Sequence, residues 1–212
     1  EVSDFQNQVY AARTAPFIAS LEPISMHITQ EEHAGSFAMV ETFRAGLSYA
    51  KNTFRRDARW PRLPVYWERG NVTPGGTSYF SGSSRSLWIL GGPTDTDEYD
   101  LSVLLHELGH FIESVYQSTD RGIGSAHAGA NTDARFAWSE GWATHFSTLA
   151  LNSGDYVDTK EDRPPYYRNV ASPPRSGQHL GRPNAGIDQN LSEWLVAALM
   201  WQLYQLENPE QQ

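Results

Sequence analysis

The chain has 212 residues, of which 39% are hydrophobic and 12% aromatic, which is enough for one packed globular domain and too few for two large ones. Its formal net charge of −9 argues against nucleic acid or an anionic membrane as a partner. Cysteine is absent, which excludes disulfides and thiolate metal ligands, and no apolar run approaches the roughly 20 residues of a membrane-spanning helix.

The first half of the sequence predicts one helix and several strands. Residues 23–29 alternate apolar and polar side chains, which is the period of a half-buried strand, and a helical pattern then runs to about residue 54. Residues 64–70 and 84–92 also indicate strands. The glycine-rich segment 73–84 between them predicts a hairpin connection.

The second half is dominated by helical patterns, at residues 97–117, 134–151 and 189–206. Residues 158–186 are polar and rich in Pro and Gly, which predicts a long functional loop. This order predicts a single domain with an α+β fold. We expect a helix-and-strand lobe over residues 1–117, a mainly helical lobe over 118–212, and a cleft between them.

The helix over residues 97–117 has two chemically different faces. At about 100° per residue, one half is apolar and the other carries His106, Glu107, His110 and Glu113. Histidines four residues apart lie one turn apart, so both imidazoles can bind one ion at about 2.0–2.1 Å, and Glu107 can reach a water on that ion as its base. The acidic run 95–100 suits the positive end of the helix dipole, which is a structural role.

This short pattern also arises by chance, so a third metal ligand is needed to support it. Glu113 lies nearly a turn beyond His110, and we expect it to support a histidine or lie at the surface. Glu140 is the better candidate, because it points away from the apolar stripe of the helix over 134–151. The neighbouring Gly141 has no side chain, which allows another element to approach closely.

These segments resemble the gluzincin group of zinc metallopeptidases. "HELGH" followed by "SEGWATHF" is similar to the fungalysin-type and thermolysin-like enzymes, and residues 191–204 resemble their later buried helix. The resemblance implies a zincin-like fold in which His106, His110 and Glu140 bind Zn²⁺ and Glu107 is the general base. The chain departs from thermolysin-like enzymes at Thr144, where they have an aspartate, and in "GIDQNLSEW", where they have a histidine that stabilises the oxyanion.

Further site residues follow as expectations. Peptide hydrolysis needs a hydrogen-bond donor for the developing oxyanion, and the candidates for this role are Tyr166, Tyr167, His179 and His127. We expect Thr144 or Glu193 to support a ligand histidine through a hydrogen bond. The resemblance also implies that residues 84–92 are the edge strand along which an extended peptide binds, through Leu87, Trp88 and Ile89, although an ordinary internal strand is the alternative.

The sequence therefore predicts a zinc-dependent endopeptidase that acts on proteins or peptides. Two alternatives stay open: an inactive zinc-stabilised binding or adhesion domain, and a zinc hydrolase of a non-peptide substrate. The chain begins at Glu1 without methionine, as a processed protein does, and we expect an exported protein, either secreted or periplasmic.

Overall fold

The computed structural model describes residues 1–13, 28, 31–54, 60–116, 133–161, 163–172 and 192–208. These residues form a mixed α+β structure. In chain order the elements are β1 (Val2–Ser3), α1 (Glu31–Phe54), β2 (Val65–Trp67), β3 (Tyr79–Ser81), β4 (Ser86–Ile89), α2 (Leu101–Tyr116), α3 (Ala134–Ala150), β5 (Asp155–Lys160), β6 (Arg163–Asn169) and α4 (Glu193–Glu207). Apart from residue 28, the strand expected over residues 23–29 lies outside the described residues.

The four N-terminal strands form one sheet in the order β1-β2-β4-β3. β2 is parallel to both β1 and β4, whereas β3 is antiparallel to β4. The expectation that residues 84–92 form an edge strand is therefore wrong, because β4 is hydrogen-bonded on both sides. The segment 73–84, expected to be only a connection, contributes β3 and covers that edge. Leu87 and Ile89 are fully buried in the core.

One large hydrophobic core joins the sheet to the helices. The apolar half of α2 lies at its centre, and none of the helices that the structure describes is long and apolar enough to cross a membrane. Burying each large apolar side chain stabilises the fold by about 1.5–3 kcal/mol. The fully buried large side chains include Trp67, Leu104, Leu108, Phe111 and Phe146.

Two glycines allow α3 to approach its neighbouring helices closely. A Cβ atom at Gly109 of α2 would lie 2.9 Å from the Cα atom of Ala143, and one at Gly141 would lie 2.6 Å from the side chain of Val196 on α4. Only a residue without a side chain fits such contacts. The close approach expected at Gly141 is confirmed, and the partner is α4.

The expectation of a loop throughout residues 158–186 is wrong for its first part. β5 and β6 form an antiparallel hairpin in which Asp158 pairs with Tyr166 and Val157 pairs with Tyr167. Side chains alternate between the two faces of a strand, so Tyr156 and Asp158 share one face. Tyr156 packs against Trp194 of α4 in a second, smaller hydrophobic cluster.

Candidate metal centre and cavity

Three side chains from α2 and α3 converge on one point. The Nε2 atom of His106 lies 3.0 Å from Oε2 of Glu140 and 3.2 Å from Nε2 of His110, and His110 Nε2 lies 3.3 Å from the same carboxylate oxygen. All three residues are buried. These atoms could hold a metal ion. The helical periodicity of α2 places the histidines one turn apart, and the close contact at Gly109 brings α3 near enough to add Glu140.

The other ring nitrogen of each histidine is supported by a hydroxyl group on α3. His106 Nδ1 lies 3.1 Å from Oγ1 of Thr144, and His110 Nδ1 lies 3.3 Å from Oγ of Ser139. If each Nδ1–H donates to the hydroxyl oxygen, the lone pair of Nε2 is free to face a metal. Thr144 thus lies where support for His106 was expected.

Glu113 lies behind His110 and is almost completely buried, at 1% exposure. The hydroxyl of Ser139 donates to Oε2 of Glu113 at 2.6 Å, and the same carboxylate oxygen lies 3.9 Å from Nδ1 of His110. Glu113 is therefore not a surface residue. Its negative charge increases the basicity of the imidazole through Ser139.

The charges of this group are strongly coupled. Burial alone would lower the pKa of His110, but the carboxylates of Glu140, Glu113 and Glu107 outweigh it and raise the pKa to about 10. Burial would raise the pKa of Glu140, but the two histidines hold it well below its ordinary value. The carboxylates thus create a negative potential that favours positive charge between the two helices.

A cavity of about 280 Å³ opens beside these residues. Glu107 and His106 line it together with Thr144, and Glu193 and Trp194 close it from α4. Glu193 is buried. The described residues that line the cavity do not include Leu87, Trp88 or Ile89. The structure therefore does not bring these expected substrate contacts to the site.

The hairpin separates the two tyrosines that were expected as oxyanion donors. Tyr166 lines the cavity, whereas Tyr167 is half exposed and donates a hydrogen bond to Asp155 at the surface. Consecutive strand residues point to opposite faces, so only one of the two can face the cavity. His127 and His179, the other expected donors, lie outside the described residues.

Tyr156 is a cavity residue that the sequence analysis missed. Its ring lies 5.9 Å from the ring of His106, edge to face. Burial, with a smaller contribution from the nearby carboxylates of Glu107 and Asp158, raises its pKa well above 10, so its hydroxyl keeps its proton. The sequence signal that could have identified Tyr156 is its alternation with Asp158 and Lys160, the pattern of residues on one face of a strand. All three line the cavity from β5.

The acidic run lies directly before α2, at the end where the sequence indicates it, but several of its side chains are buried. Asp97 and Glu98 lie buried in a short 3-10 helix, and Asp100 accepts hydrogen bonds from the backbone and side chain of Thr159. Burial among other carboxylates raises the pKa of Asp97 to about 7, although a hydrogen bond from Ser78 opposes this shift. Asp97 lines the same cavity as His106.

Comparison with known proteins gives no assignment. No protein-family model matches the sequence, and no curated protein is detectably similar to it. A functional assignment therefore depends on the residues of the site themselves.

Proposed function

We propose that the protein is a zinc-dependent peptidase of the gluzincin type, with His106, His110 and Glu140 as the ligands. The observation that carries the proposal is the triangle of ligand atoms, with edges of 3.0, 3.2 and 3.3 Å. Ligands about 2.0–2.1 Å from a tetrahedral centre are about 3.3 Å apart, so the triangle has the size of one face of a zinc coordination tetrahedron. Two nitrogens and one carboxylate oxygen are also ligands that zinc accepts.

The placement of Glu107 supports hydrolysis over mere metal binding. A zinc ion at the site would polarise a carbonyl group and lower the pKa of a water molecule towards about 7. Glu107 lines the cavity next to His106 and is only 7% exposed. Its carboxylate can accept a proton from the attacking water and deliver it to the leaving amine.

Tyr156 of β5 supports the same chemistry. Because its hydroxyl stays protonated, it can donate a hydrogen bond to the negative charge that develops on the carbonyl oxygen. Tyr166 lines the same cavity and is the second candidate for this role. We assign the oxyanion donor to Tyr156, because its ring contacts His106 directly.

A peptide substrate is supported by the shape of the sheet beside the cavity. Within the described part of the chain, β1 and β3 are the edge strands of the four-stranded sheet, and Thr77 and Ser78 immediately before β3 line the cavity. An unpaired strand edge offers N–H and C=O groups to an extended backbone. We therefore propose that β3, rather than β4, guides the substrate.

The test is the Glu107→Gln variant, with Glu41→Gln on the exposed face of α1 as the matched control. Metal content is measured by mass spectrometry, and cleavage of a mixed peptide library is followed with and without a chelator. We expect one zinc ion per chain in all proteins, chelator-sensitive cleavage by the wild type and Glu41→Gln, and loss of cleavage in Glu107→Gln.

Each other outcome contradicts a different part of the proposal. Full chelator-sensitive cleavage by Glu107→Gln would refute the role of the base. A wild-type protein without zinc after loading would refute the ligand assignment. A zinc protein that cleaves no peptide would instead support the binding-domain or non-peptide alternative, and a screen of ester and amide substrates would then separate these two.

A further inference from the structure

A second group of ligand atoms comes from three aspartates, two of which, Asp97 and Asp158, line the cavity. Asp95 and Asp97 precede α2, and Asp158 lies on β5. Each of these carboxylates presents an oxygen within 4.8 Å of an oxygen from each of the other two, and the group could hold a metal ion. All of its ligand atoms are oxygens, which suit a hard cation rather than zinc.

The hydrogen bonds of these carboxylates leave one oxygen of each without a partner. Lys160 forms ion pairs with the Oδ2 atoms of Asp95 and Asp158, and the hydroxyl of Ser78 donates to Oδ2 of Asp97 at 2.5 Å. The three Oδ1 atoms are buried and have no hydrogen-bond partner in the described part of the chain. Asp97 itself is only 4% exposed. Buried carboxylate oxygens without a partner are costly unless a cation binds them.

The backbone holds the carboxylates together despite their repulsion. The N–H group of Thr159 donates to Asp100 at 2.6 Å, and the N–H group of Glu161 donates to the carbonyl oxygen of Thr94 at 3.0 Å. These bonds join the segment before α2 to the end of β5 and the residue after it, and on the α2 side they flank Asp95 and Asp97. The three side chains are therefore held close to one another, and the ammonium group of Lys160 forms ion pairs with two of the three carboxylates.

We propose that Asp95, Asp97 and Asp158 form a calcium site, separate from the zinc site, that fastens β5 to the segment preceding α2. Three carboxylates, binding through one or both oxygens, supply much of the coordination that Ca²⁺ requires, and water from the cavity completes it. Tyr156 lies two residues before Asp158 on the same strand face, so the ion also holds Tyr156 beside His106. Lys160 is the counter-charge that Ca²⁺ displaces.

The experiment titrates Ca²⁺ into the zinc-loaded 212-residue chain by isothermal titration calorimetry. We expect one Ca²⁺ per chain and at least about a tenfold loss of affinity in Asp97→Asn and in Asp158→Asn, because each variant loses a charged ligand. Asp155→Asn is the matched control, since this carboxylate lies on the same strand but accepts hydrogen bonds from Tyr167 and Asn169. It should bind Ca²⁺ like the wild type.

Two further measurements keep the proposal testable if an aspartate variant folds poorly. Lys160→Gln should bind Ca²⁺ at least about tenfold more tightly, because a neighbouring ammonium no longer repels the ion. Ca²⁺ at 100 times its dissociation constant should raise the melting temperature of the wild type by about 5–10 °C.

Some results would overturn the calcium site without touching the zinc proposal. These are no saturable Ca²⁺ binding to the zinc-loaded wild type, unchanged affinity in both Asp97→Asn and Asp158→Asn, or weaker binding in Lys160→Gln. Glu140→Gln, which removes a proposed zinc ligand, should still bind Ca²⁺. If it does not, Ca²⁺ occupies the histidine site and the assignment to the aspartates is wrong.

Discussion

Replacing Thr144 by valine tests whether the hydroxyl groups of α3 prepare the histidines for metal binding. Thr144 is 2% exposed and His106 is 7% exposed, so the 3.1 Å contact between Oγ1 and Nδ1 is largely shielded from bulk solvent. Valine keeps the shape of threonine, and the change therefore removes the hydrogen bond alone. The ring of His106 then loses the contact that orients it towards the proposed metal position.

The expected magnitude follows from the geometry of this contact. Losing a group that supports a ligand histidine typically weakens metal binding by about 10- to 100-fold, which corresponds to about 1.4–2.7 kcal/mol. The contact is buried and of ordinary hydrogen-bond length, so we expect the upper part of this range. The metal-free protein should also lose about 1 kcal/mol of stability from the broken bond.

The matched control is Thr148→Val, one turn later on α3. Thr148 is fully buried, and its hydroxyl donates to the carbonyl oxygen of His145 at 2.8 Å within the same helix. This variant should lose a similar amount of stability and keep its zinc affinity. The assay is competition for zinc with a chromophoric chelator, together with thermal melting of the metal-free proteins.

Two results would refute the reasoning. One is a zinc affinity of Thr144→Val within about twofold of the wild type. The other is an equal loss of affinity in Thr148→Val, which would show that the effect comes from the fold of α3 and not from the contact with His106.

Three other predictions concern packing, pH and the tyrosines. Gly141→Ala should destabilise the protein by about 1–3 kcal/mol in chemical denaturation, because the new Cβ atom would lie 2.6 Å from Val196; an unchanged midpoint would contradict the close packing of α3 against α4. Burial lowers the pKa of His145 from 6.5 to about 4, so the unfolded chain binds its proton first as the pH falls. The stability that its neutral form contributes above pH 6.5 should therefore be lost between pH 6.5 and 4, by on the order of 3 kcal/mol, and the pH dependence of unfolding in this window should flatten in His145→Gln. Tyr156→Phe should lower kcat for peptide cleavage by about 100-fold or more with little change in KM. Tyr167→Phe, at the surface, should leave both constants unchanged. Equal effects of the two changes would argue against an oxyanion donor on β5.

Much of the helical framework follows from local periodicity. The two faces of α2 and the position of Glu140 on α3 can be predicted, because each depends on residues within a few turns of one helix. The same reasoning predicts the close contact at Gly141, though not that α4 is the partner. His106, His110 and Glu140 converge in the structure as the sequence pattern indicates.

The strands were less predictable, because their role depends on neighbours that are distant in the chain. An apolar segment such as residues 84–92 predicts a strand, but its place inside the sheet depends on β3 pairing beside it. Proline and charged residues in the segment 158–169 resemble a loop, and the pairing of β5 with β6 overrides that local preference.

By itself, the sequence indicates that His106, Glu107 and His110 share one face of a helix, since helical spacing places these groups without reference to the rest of the fold, and it offers Glu140 on a second helix as the candidate third ligand. Only the tertiary structure decided which hydroxyl supports His106, which tyrosine faces the cavity, and that Asp158 joins Asp95 and Asp97. The physical reason is the same in each case. These contacts join residues about 40 to 60 positions apart, and only the packing of α3 and β5 against α2 and the segment before it creates them.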